Sequence, residues 1–102
     1  MGKTAIIRSL AKCIGNVALH KIILKHTNKP ESIKHLKDEI ADYSADAFEN
    51  AQMHSWSDKE KEEIKNKSLV RVKNLIKKYS DIKYEENEIG YYINETMKEM
   101  LL

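Results

Sequence analysis

Apolar residues recur along this chain at steps of three and four, the period of helices that bury one face. Ile33, Leu36, Ile40, Tyr43, Ala47 and Ala51 fall within about 80° on a 100°-per-residue wheel, a strongly amphipathic helix. Ile64, Ser68, Val72, Leu75, Ile76 and Tyr79 form a second such stripe, and Ile89, Ile93, Met97 and Met100 a third. Gly90 weakens the last of these by ~1 kcal/mol relative to Ala.

The first helix has a different pattern. Ile6, Ile7, Leu10, Ile14 and Val17 share one face, while Leu19, Ile22, Ile23 and His26 share a face roughly opposite, with the switch at Gly15-Asn16. Either the helix breaks there or it is covered on two sides. A helix apolar on two sides is buried in the fold or at a subunit interface. Leu19, Ile22 and Ile23 are therefore expected at a partner interface.

Local signals mark the element boundaries. Thr27-Asn28-Lys29-Pro30 is a turn, with Pro30 suited to the first position of a helix. His54-Ser55-Trp56 breaks the second helix, and Ser57 with Glu60 three residues on makes a capping box for the third helix. Ser80–Tyr84 is a connection. Helices are expected at about 4–27, 30–53, 58–80 and 86–101, packed in a single all-α domain, 1–102, as a small four-helix up-down bundle. The alternative is a three-helix core with a terminal helix docking on a partner subunit.

Composition agrees with long solvated helices. Charged residues make up 33% of the chain, with only Gly 3 and Pro 1 to serve turns, too few for an all-β fold. The charge comes in blocks. Residues 1–30 hold six bases and no acid, 31–63 ten acids against four bases, 64–83 seven bases against one acid, and 84–102 five acids against one base. In a square up-down bundle the first and third helices face each other across a diagonal, so their positive fields would be partly neutralised by acidic neighbours. The single cysteine, Cys13, excludes an intrachain disulfide and fits a reducing compartment. No stretch approaches the ~20 apolar residues a bilayer requires. The chain is expected in the cytoplasm and away from membranes.

Several residue groups could carry chemistry. Glu39, Asp42, Asp46 and Glu49 lie at spacings of three, four and three, within reach of a shared Mg²⁺ or Mn²⁺. A small metal-dependent all-α hydrolase could use such a stripe, but the acid-free first helix offers no second carboxylate pair. His35 and Glu39 are four apart, a metal-ligand spacing, with no second histidine helix to complete a site. Gly2-Lys3-Thr4 has the end of a phosphate-loop pattern without its upstream glycine or strand. No catalytic residue, metal or cofactor is assigned.

Two binding readings remain. Lys67, Arg71, Asn74 and Lys78 form a ladder opposite the apolar stripe of the third helix, and Lys67, Arg71 and Lys78 could follow phosphates in a nucleic acid. Tyr91 and Tyr92, beside Met97 and Met100, are residue types enriched at protein interfaces. Of the function classes, a non-enzymatic adaptor or regulatory module acting through protein–protein contacts, as a homodimer or in a complex, fits the motif-free helical pattern best. Nucleic-acid binding is the first alternative and the metal-dependent hydrolase the second.

Overall fold

A computed structural model describes residues 3–102, so Gly2 of the Gly2-Lys3-Thr4 tripeptide lies outside the described residues. The chain forms an all-α, four-helix up-down bundle of α1 (Lys3–His26), α2 (Pro30–Gln52), α3 (Asp58–Ile76) and α4 (Glu86–Glu99). Pro30 opens α2, with Lys29 as its N-cap. At α3 the capping box forms as expected: the Glu60 N–H donates to Ser57 Oγ at 3.1 Å, and the Ser57 N–H donates to Glu60 Oε1 at 2.9 Å. Two backbone donors that would be orphaned at the helix start are thereby satisfied.

The third helix ends at Ile76, four residues before the expected boundary. Lys78 and Tyr79 donate backbone hydrogen bonds to Leu75 and Ile76, which tightens the chain into a turn, and the buried Ile82 anchors the connection to the core. Lys78 is therefore not part of the α3 ladder.

α1 runs unbroken through Gly15-Asn16 and lies at the centre of the bundle. It packs against α2, α3 and α4, and α3 also packs on α4, while α2 rests almost entirely on α1. The two opposed apolar faces of α1 are thus both covered from within the chain. Ile7, Leu10, Ile14 and Val17 are buried, and so are Leu19, Ile22 and Ile23. The last three, expected to meet a partner, are core residues, because the most apolar helix takes the position that covers both of its apolar faces. The three-helix alternative with a displaced terminal helix does not occur.

Small residues determine how α1 and α3 meet. The Ser68 hydroxyl donates to the Ile64 carbonyl at 2.8 Å and lies 3.3 Å from the Ala11 carbonyl of α1, sharing its one proton between them. Gly15 faces Arg71 and Ser68 with no room for a side chain between them. The two basic helices are consequently direct neighbours rather than diagonal partners, and this corrects the square arrangement expected from the charge blocks.

Candidate functional site

The cations of α1 divide into two groups. Those near its ends are neutralised: Lys3 Nζ lies 3.2 Å from Glu60, Lys21 Nζ 2.9 Å from Glu95 and 2.7 Å from Glu99, and Lys25 Nζ 2.9 Å from Glu88. Arg8 and Lys12, in the N-terminal half, have no carboxylate within ion-pair distance among the described residues. The same holds for Lys67 and Arg71 on α3. These four side chains line one open cleft of about 850 Å³ between α1 and α3, whose lining includes no acid. Ala5, Ala11 and Val70 give it apolar surface, and Ser9, Asn66 and Asn74 add neutral polar groups. Val70, 58% exposed, supplies the largest apolar side chain of the lining.

Arg71 is held in place. Its Nε donates to Oδ1 of the buried Asn16 at 3.2 Å, so part of the guanidinium is fixed by α1 while other N–H donors remain for a ligand. Cys13 of α1 is not among the residues lining the cleft, and burial pushes its half-buried thiol above its ordinary value. Asp46 of α2 raises it further, against the opposing effects of Lys12 and Arg71. A thiol raised in this way stays protonated and is a poor nucleophile.

The remaining chemical groups are dispersed over the bundle. His20 donates through Nδ1 to the Asn16 carbonyl at 2.7 Å, stacks on Tyr43, and places Nε2 3.9 Å from Glu39. His35 approaches the same carboxylate at 3.5 Å. His26 Nε2 is 2.7 Å from Glu88, and His54 lies edge-on to Trp56. Asp42, Asp46 and Glu49 are exposed, whereas Glu39 is turned toward the two histidines. Among the described residues no three His, Cys, Asp or Glu side chains converge as metal ligands. No described helix is long and apolar enough to cross a membrane. Tyr91 is 62% exposed and packs edge-to-face on the half-buried Tyr92, centroids 5.1 Å apart.

Of the sequence-derived site residues, Lys67 and Arg71 enter the cleft, while Lys78 lies in the turn beyond it. Arg8, Lys12 and Val70 were missed. Their signal was present in the first basic block, where Arg8 and Lys12 are four apart on the side of α1 away from Leu10 and Ile14. No protein-family model matches the chain, and comparisons with curated proteins and with solved structures found no significant similarity.

Proposed function

We propose that this protein is a non-enzymatic helical binding module that docks an acidic protein surface in the α1–α3 cleft. The observation that carries this reading is the set of four cations, Arg8, Lys12, Lys67 and Arg71, around an apolar strip with no acid in the lining. Burying a like-charged cluster is unfavourable unless opposite charge arrives, so the cleft favours an anionic partner. Exposed apolar surface between the cations favours a partner with side chains to place there, which a phosphate backbone lacks. The adaptor acts as a homodimer or within a complex, and the free thiol of Cys13 suits the reducing cytoplasm.

A second reading, nucleic-acid binding, gains support from the direct contact of α1 and α3, which merges the two basic blocks into one surface. Fluorescence anisotropy distinguishes the two. An acidic amphipathic peptide and a duplex DNA oligomer are titrated at physiological salt with the wild-type protein and with Arg8→Glu/Lys67→Glu. Peptide binding lost in the variant is the expected result. Preferential DNA binding promotes the second reading, and binding of neither anion by the monomeric protein rejects the cleft as the functional site.

A further inference from the structure

We infer that the occupant of the cleft is α2 from a second copy of this chain. This rests on the cleft being the binding site, and it names the partner. Two clusters of charge without an ion pair, of opposite sign, lie on different faces of the molecule. Arg8, Lys12 and Lys67 have no carboxylate within 4 Å among the described residues, and neither Asp42, Asp46 nor Glu49 has a cation at that distance. These sets do not neutralise each other within one chain because α2 rests on α1 and makes no comparable contact with α3.

The outer face of α2 has the surface the cleft lacks. Ala41, Ala45 and Phe48, at steps of four and three, are all exposed, and Phe48 is 43% exposed. Asp42 and Glu49, also exposed, run along one edge of this strip with Asp38, which is paired with Lys34 at 3.0 Å. An amphipathic helix with small residues and one aromatic anchor, with acids along one edge and Lys37 on the other, is the form of ligand that settles in a groove between two helices. Ala41 and Ala45 permit close approach, and Phe48 covers Val70 as the acids meet the cations.

The dimensions agree. Along α3 the lining runs from Asn66 to Asn74, about 12 Å at a helical rise of ~1.5 Å per residue, and the α2 strip from Asp38 to Glu49 covers about 16 Å. Each copy carries both the cleft and the acidic helix. A two-fold axis therefore uses each surface once in each direction and closes the assembly at two chains. α2 is also the helix least committed to its own core, with only Leu36, Ala47 and Ala51 buried.

A charge swap tests this. One variant reverses the cleft (Arg8→Glu/Lys67→Glu) and another reverses the helix (Asp42→Lys/Glu49→Lys). Arg71 is left alone because it is bonded to Asn16. All four positions are surface-exposed, and circular dichroism confirms that each variant is folded. In sedimentation equilibrium at micromolar concentration, the wild type is expected at twice 11.9 kDa, each variant alone at 11.9 kDa, and their equimolar mixture again at twice that mass. A mixture that stays monomeric overturns the inference, as does either variant dimerising alone. A monomeric wild type whose cleft still binds the acidic peptide defeats self-docking and leaves the cleft reading standing. Loss of both defeats the two together.

Discussion

Arg71 lies across Gly15. A Cβ built on Gly15 would stand 2.8 Å from Arg71 Cγ, 3.0 Å from its Cβ and 3.4 Å from the Ser68 carbonyl. Arg71 Cβ cannot retreat without moving α3, and turning Cγ away about χ1 would break the Nε–Asn16 hydrogen bond. Glycine is thus required here by close approach, and that approach is what brings Arg8 and Lys12 alongside Lys67 and Arg71.

Gly15→Ala should therefore destabilise the protein. Helix propensity alone predicts a gain of ~1 kcal/mol, whereas overpacking a well-filled contact costs about 1–3 kcal/mol. The expected net loss is ~1 kcal/mol, measured by urea denaturation. Gly90→Ala is the matched control: it is also helical, but its added Cβ meets nothing within 4 Å. It should stabilise by ~0.5–1 kcal/mol. Equal effects at the two glycines would contradict the α1–α3 contact.

A second prediction concerns the end of α4. Leu101 has φ 63°, the left-handed region that glycine usually occupies, while its backbone N–H bonds to the Lys98 carbonyl and that of Leu102 to Met97. Its side chain is 71% exposed and contributes little burial. Leu101→Gly removes the steric penalty, partly offset by greater freedom in the unfolded chain, for a net gain of ~0.5 kcal/mol. A lower melting temperature would show that the side chain has a packing role after all.

Glu88 ties α4 to the C-terminal end of α1. Its carboxyl is held below the usual range, first by the Lys25 hydrogen bond and then by His26, against the opposing effect of burial. Because the folded value is depressed, the stabilisation is complete above the unfolded value near 4.5 and disappears as pH falls through the lower folded value. Melting curves of the wild type and Glu88→Gln should differ at neutral pH and converge on acidification. A difference that persists unchanged into strong acid would exclude the ion pair as its source.

The acidic stripe separates binding from hydrolysis. If Asp42 and Asp46 are a solvated face, Asp42→Asn/Asp46→Asn changes stability by ~1 kcal/mol or less, and millimolar Mg²⁺ or Mn²⁺ shifts the melting temperature of neither protein. A rise of several degrees in the wild type alone would revive the metal-dependent enzyme.

How far these features could be foreseen depended on their range. Pro30 and the Ser57–Glu60 box act within one turn, and both boundaries are where local chemistry places them. The end of α3 depends on the burial of Ile82, a tertiary event with no breaker at Lys77–Ser80 to announce it. Lys67 and Arg71 were legible because they share one helix face. Their joining with Arg8 and Lys12 was not, since it depends on which helices touch, and that is decided by the small side chains of Ala11, Gly15 and Ser68. The two-sided pattern of α1 was visible, but periodicity cannot say whether the second cover comes from the same chain or another.

Duplex DNA provides the last test of what the cleft accepts. Four cations meeting phosphates would give a logarithmic affinity–salt slope of about −3 to −4, and Lys67→Ala should reduce its magnitude by about one. Asn66 and Asn74 flank the cations, but among the described residues the helices lack the proportions of a helix-turn-helix pair, so little sequence preference is expected. If a second copy's α2 occupies the cleft, DNA competes with it, and adding DNA should lower the dimer fraction in sedimentation. A sequence preference above about a hundredfold would mean that base contacts contribute several kcal/mol. The cleft would then belong to nucleic acid rather than to an acidic helix.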